Sequence, residues 1–186
     1  MRVVAGSARG LRLRSPDSSR VRPTSDRVRE SLFNSLGSRG RVEGADFVDL
    51  FAGTGALGIE ALSRGAGSCV FIDADRASLD LVRHNLAHTR LEDRAELVEA
   101  DALGLVSEGG RLSGARFDVA LADPPYAFDR WVPLMEDLRA QVLVAESDRE
   151  IDPGARWQVT GIRTYGTTVV TILESAEAPQ HPERER

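Results

Sequence analysis

Between residues 47 and 65 a short apolar run, Phe47-Val48-Asp49-Leu50-Phe51, leads into Gly53, Gly55 and Gly58, and then into an apolar stretch closed by Gly65. The three glycines have Gly-x-Gly-x-x-Gly spacing between an expected strand and an expected helix. This confines the fold more than any other feature of the chain. Glycine lets the backbone turn tightly and come close to a ligand, and the following helix N-terminus favours an anionic group. Such a strand–loop–helix unit is the first step of an alternating α/β architecture.

The rest of the sequence continues the alternation. Strands are expected at 68–73, 96–100, 117–122 and 141–146, and helices at 75–88 and 130–139. Ala77, Leu81 and Leu86 are read as the inward face of the first of these helices, and Pro133 falls in the first turn of the second. Residues 157–162 and 167–173 have no helix between them and read as a hairpin turning near Tyr165-Gly166. Together with 47–51 this predicts a doubly wound, mostly parallel seven-stranded sheet with a C-terminal antiparallel hairpin. Ahead of it, residues 1–22 suggest a small β-hairpin turning at Gly6-Ser7-Ala8-Arg9-Gly10. Thr24 or Ser25 can then cap a helix whose stripe is Val28, Leu32, Phe33 and Leu36, ended by Gly37. The expected division is an N-terminal extension over 1–40, a main domain over 41–175, and a polar, disordered tail over 176–186.

A chain of 186 residues, 41% hydrophobic and 28% charged, suits one sizeable globular core. No apolar run reaches membrane-spanning length, and charge interrupts the N-terminus too early for a signal peptide. The single cysteine, Cys69, lies among Val70, Phe71 and Ile72 and reads as a buried structural thiol in a reducing, cytoplasmic protein. His84 and His88 are four apart on an expected helix, where a solvated face is the better reading than a metal clamp; no metal is expected. The basic residues are all arginine. Residues 1–30 hold eight arginines against Asp17, Asp26 and Glu30, a net +5, and the remaining 16 arginines face 26 acids, a net −10. A basic arm on an acidic body points to a polyanionic partner, with Arg9, Arg12, Arg20, Arg22, Arg27 and Arg29 as the candidate contacts.

The glycine loop alone serves nicotinamide, flavin and S-adenosylmethionine binders alike. Asp73, at the end of the second strand, fits a ribose diol in any of them, and Asp75 reads as a helix cap. Two acids favour S-adenosylmethionine. Asp49 sets a carboxylate near a ligand amino group, which a dinucleotide lacks. Asp101 ends the third strand, where it either accepts from an adenine amine or caps a helix. The strongest pointer is Asp123-Pro124-Pro125-Tyr126, which follows the expected strand at 117–122. Two prolines stiffen this turn and remove two donors, leaving the Asp123 carboxylate and proline carbonyls as acceptors. An aromatic face comes next. Such a turn holds an exocyclic NH2 on a flat ring: two acceptors for its two N–H bonds, and Tyr126 against the ring.

Taken together these residues resemble the amino-group methyltransferases of nucleic acids. The stretches Gly6-Ser7-Ala8-Arg9-Gly10, Arg22-Pro23-Thr24-Ser25-Asp26-Arg27-Val28-Arg29-Glu30-Ser31-Leu32-Phe33-Asn34 and the glycine loop from Asp49 to Gly65 narrow the resemblance to the RsmD family. These are guanine-N2 methyltransferases of small-subunit ribosomal RNA. The likeness runs from Arg2 to about Thr168. It implies a Rossmann-like class I methyltransferase core, S-adenosylmethionine as cofactor, and methylation of one guanine of 16S RNA, conventionally position 966. Cofactor contacts then fall on Asp49, Phe51, Gly53, Gly55, Asp73, Ala74, Asp101, Ala102 and Asp123. The catalytic turn falls on Asp123, Pro124, Pro125 and Tyr126. The expected substrate is 16S RNA or a 30S assembly intermediate, and the expected enzyme a monomer. Rival readings are an adenine-N6 DNA methyltransferase, a glutamine-amide methyltransferase, a non-catalytic S-adenosylmethionine-binding scaffold and a nicotinamide oxidoreductase.

Overall fold

A computed structural model describes residues 1–16 and 26–176. Within them α1 (Asp26–Ser38) precedes β1 (Asp46–Asp49), α2 (Ala56–Ser63), β2 (Ser68–Asp73), α3 (Arg76–Thr89) and β3 (Ala95–Glu99). Then follow α4 (Ala102–Val106), β4 (Phe117–Ala122), α5 (Trp131–Asp137), β5 (Ala140–Ser147), β6 (Trp157–Tyr165) and β7 (Thr168–Ser175). The seven strands form one sheet in the order β3-β2-β1-β4-β5-β7-β6. The first five run parallel, while β7 is antiparallel to both β5 and β6. This is the expected Rossmann-like arrangement with its terminal hairpin.

Side chains alternate between the two faces of the sheet, and each face has its own core. Phe47, Phe71, Val119, Leu121 and Val142 meet α1, α2 and α3 on one side. Val48, Ile72, Ala120, Leu143 and Ala145 meet α4 and α5 on the other. The order of strands reverses between β1 and β4, which pair as Phe47↔Val119 and Asp49↔Leu121. The loops that leave their C-terminal ends therefore diverge side by side, the usual ligand position in an open α/β sheet.

Local differences from the expected elements have physical causes. The strand expected at 47–51 runs from Asp46 to Asp49, and past its end the Leu50 and Ala52 amides still bond to Leu121 of β4 and Ile72 of β2 as the loop begins. Helix α1 passes through Gly37 and stops where Gly40 adopts φ 65°. On α3, Ala77 is exposed and Leu81 half-buried, while the buried stripe is Leu79, Val82, Asn85, Leu86 and Thr89. Asn85 turns inward because its amide is fully engaged, which shifts the helix face away from Ala77. Helix α4 bears out the reading of Asp101 as a helix cap: Asp101 accepts from the Gly104 amide at 3.0 Å.

The N-terminal hairpin is minimal, a single antiparallel bridge between Arg2 and Arg12. Its strap is nevertheless sewn to the sheet's helical layer. Val3, Ala8 and Leu13 are buried in the same core as α1 and α2. The buried Glu60 carboxylate accepts from the amides of Val4 (2.7 Å) and Ala5 (3.0 Å). At Gly6 the φ is 82° and a Cβ would lie 1.8 Å from the Ser63 carbonyl oxygen, so only glycine fits. Of the tail expected over 176–186, Ala176 is described, its amide donating to the Arg156 carbonyl at 2.8 Å, and the rest lies outside the described residues.

Candidate active site

Two loops build the site, one after β1 and one after β4. In the first, Gly53 and Gly55 both have positive φ, 53° and 77°. A Cβ on Gly53 would meet no atom closer than 4.0 Å, so that glycine faces open space. Gly58 serves packing instead: a Cβ there would sit 2.3 Å from the Phe71 ring. Asp73 anchors the loop, its Oδ2 accepting from the Gly53 amide at 2.8 Å and its Oδ1 from the Asp75 amide at 2.9 Å. Asp75 caps α3 through the amides of Ala77 and Ser78, as its position suggested.

Asp49 lies beneath the loop, 1% exposed. Its Oδ2 accepts from the Gly58 amide at 3.1 Å, and its Oδ1 has no hydrogen-bond partner. The carboxyl is pushed up to about 7, mainly by burial; the Gly58 amide draws it partly back and the charge of Asp73 adds to the rise. A buried carboxylate oxygen without a donor is costly. Here it borders a cleft of about 190 Å³, lined among others by Asp49, Phe51, Gly53, Leu81 and Asp123. The lining fits an ammonium-bearing cofactor: a carboxylate acceptor without a donor, and an open glycine backbone beside it. Cys69, behind Gly58, is buried, and burial raises its thiol well above the usual range, as suits a structural role.

The second loop starts at Asp123, half-buried and on the same cleft. Pro124 is buried and Pro125 exposed, and the Pro125 carbonyl accepts from the Phe128 amide at 2.8 Å to close the turn. Tyr126 is 46% exposed, its hydroxyl 3.4 Å from the Thr168 hydroxyl, and of the four residues of this turn only Asp123 lines the cleft. Edge-to-face contacts run from Phe51 to Phe128 (5.3 Å) and on to Trp131 (5.1 Å), tying the two loops together.

The structure thus joins Asp49, Phe51, Gly53 and Asp123 in one cleft, with Gly55 and Asp73 shaping it. Ala74 is exposed beside them. Asp101 and Ala102 occupy the neighbouring β3–α4 turn and do not line this cleft; Asp101 is a helix cap whose Oδ1 is 3.7 Å from Arg130. Among the arginines, Arg9, Arg12 and Arg27 are exposed. Arg29 is fully buried, donating to the Arg2 carbonyl at 2.6 Å and to Asp26 at 2.8 Å. It fastens the strap to α1 and is not available to RNA, which corrects its reading as a contact. Arg20 and Arg22 lie outside the described residues. Sequence reasoning missed Met1, Ser15, Pro16, Ser78 and Leu81, which also line the cleft. No group of three or more His, Cys, Asp or Glu able to hold a metal occurs among the described residues, and no described helix is long and apolar enough to cross a membrane.

A Rossmann-like sheet with an acid-floored glycine cleft beside an Asp-Pro-Pro-Tyr turn defines a class I methyltransferase, the class whose methyl donor is S-adenosylmethionine. The family model described as "Conserved hypothetical protein 95" matches residues 1–174. "Putative rRNA methyltransferase YlbH" of Bacillus subtilis is 38% identical over 188 residues, covering 94% of this chain and 98% of that protein. "Ribosomal RNA small subunit methyltransferase D" of Escherichia coli K12 is 38% identical over 140 residues, covering 74% of this chain and 67% of that one. The solved structure "Putative methyltransferase yhhF from Escherichia coli" superposes with a TM-score of 0.81 at 30% identity, covering 94% of this chain and 97% of its own. The chain belongs to this family, the RsmD family of methyltransferases.

Proposed function

We propose that the protein transfers a methyl group from S-adenosylmethionine to the exocyclic N2 of a guanine in small-subunit (16S) ribosomal RNA, position 966 by family resemblance, on an assembling 30S particle. Ribosomal RNA as the substrate class is supported by the names of the relatives. The amine target is supported by one observation above the others: the β1–β4 pairing sets the acid-floored cleft and the acceptor turn side by side, with Asp123 on both.

The roles follow from what each group can accept or cover. Asp49 holds the cofactor's ammonium through its unpaired Oδ1, and Gly53 lets the backbone approach. Asp73, already fixing the glycine loop, turns its remaining lone pairs toward the ribose hydroxyls. S-adenosylmethionine supplies an electrophilic methyl group on a sulfonium. The guanine N2 lone pair is delocalised into the ring, so the chain must hold this weak nucleophile in line. Asp123 and the Pro124 carbonyl accept its two N–H bonds. Their hold tightens as the nitrogen becomes tetrahedral and more acidic, which favours the transition state over the ground state. Tyr126, exposed three residues after Asp123 in the same turn, offers its face to a base extruded from its stack.

Asp123→Ala is expected to lower the single-turnover rate by roughly 10²–10³-fold, the scale for losing one preorganised polar contact to a reacting group. Tyr126→Ala is expected to cost about tenfold, the scale of one stacking contact. Equal losses would count against separate roles. The test of the whole reading is mass mapping of methylated nucleosides after incubating labelled cofactor with under-methylated 30S subunits, free RNA and DNA. N2-methylguanosine in 16S RNA is the expected product. N6-methyladenine in DNA would sink the proposal.

A further inference from the structure

Residues 1–16 cross from α2 to α3, and the crossing passes over the glycine loop. Beyond the Glu60 and Ser63 anchors, the strap meets Asn85, a fully buried amide in the middle of α3. Asn85 Oδ1 accepts from the Arg14 amide at 2.7 Å. Its Nδ2 donates to the Arg14 carbonyl at 3.0 Å and to the Thr54 carbonyl at 2.9 Å. One side chain therefore ties the strap to the cofactor loop from beneath both. Ser15 and Pro16, directly after the tie, line the cleft with Asp49 and Gly53. Met1 lines it too, with its sulfur 3.9 Å from the Thr54 hydroxyl and its carbonyl accepting from the Leu13 amide at 3.2 Å. A buried amide is tolerated because all three of its bonds are made. An apolar residue would fill the same space without fixing either segment.

We infer that Asn85 is a positioning residue for the cofactor: by pinning the strap to the glycine loop it makes Met1, Ser15 and Pro16 an outer wall of the S-adenosylmethionine cleft. The inference rests on that cleft being the cofactor's seat. Asn85 touches no reacting group, so its loss should appear in cofactor binding and not in the chemical step. Two variants of the full chain separate this from general destabilisation. Asn85→Leu keeps the γ-branched shape and heavy-atom count and favours the helix, while removing all three bonds. Arg14→Pro removes the strap's own N–H from the outside, where the Arg14 side chain is exposed.

Calorimetric titration with S-adenosylmethionine is expected to show weaker binding by about tenfold or more in each variant, the combined scale of hydrogen bonds of this kind. The KM for the cofactor rises in step, while the single-turnover rate at saturating cofactor stays within about twofold of wild type. Folded variants that bind like wild type would overturn the inference, and so would a lowered melting temperature with an unchanged KM. If the wild-type protein itself fails to bind S-adenosylmethionine, the seat assignment falls and takes the inference with it. Wild-type binding with unaffected variants removes the inference alone.

Discussion

Asp49 carries an electrostatic conflict that a cofactor can resolve. Its carboxyl, ordinarily near 3.8, is held at about 7 in the folded chain. Between those values the native protein binds a proton that the unfolded chain releases, so stability drains away as pH rises through this window and the loss is complete above about 7. A ligand ammonium demands the opposite, ionised form. Cofactor affinity should therefore increase with pH by up to about tenfold per pH unit below 7 and flatten above it. Calorimetry at about pH 6, 7 and 8 checks this. Asp49→Asn should abolish the slope, weaken binding at pH 8, and raise the melting temperature of the cofactor-free protein at that pH. Arg29 teaches the converse lesson. Its charge marked it as surface, yet it follows Val28 and shares a helix face with Phe33 and Leu36, at successive spacings of four and three residues, and that placement buries it. The spacing, read before the charge, would have found it.

Helix α2 is the element on which the molecule turns. Its inner face meets β2 so closely that Gly58→Ala would press a methyl into the Phe71 ring, and its outer face receives the strap so closely that Gly6→Ala would collide with the Ser63 carbonyl. Overpacking typically costs about 1–3 kcal/mol. The Gly58 variant should lie in that range because an aromatic ring can shift. The Gly6 variant should exceed it, since its obstacle is backbone and its φ is positive. Thermal unfolding of the two variants would rank them. These demands explain what the sequence made legible. The glycine spacing and the apolar runs of β2 and β4 are local signals, and both strands begin and end where the pattern placed them. The strap's route was not legible, because its partners Glu60, Ser63 and Asn85 are polar residues on helices and nothing local says that they face inward. Helix α4 left one signal, its Asp101 cap, because five residues with a central Gly104 give no period to read.

Across the whole molecule the charge asymmetry now has a location. Exposed Arg9 and Arg12 ride on the strap and exposed Arg27 on α1, while Arg29 holds those two pieces together from inside. If this face grips RNA phosphates, charge reversal at Arg9 and Arg27 should weaken RNA binding across sequences and lower the salt slope by roughly 0.7–0.9 per lost contact. Filter-binding titrations at several salt concentrations would measure it. Arg29→Ala should instead lower the melting temperature, since it leaves the Arg2 carbonyl without its donor. The strap's anchors have a consequence for how the chain is made. Val4, Ala5, Ala8 and Arg14 bond to groups 55 to 71 residues further along. During synthesis these early residues emerge long before Glu60, Ser63 and Asn85 exist to receive them. The strap therefore stays uncommitted until both α2 and α3 have emerged, so the first residues made wait for roughly half of the chain before they can dock.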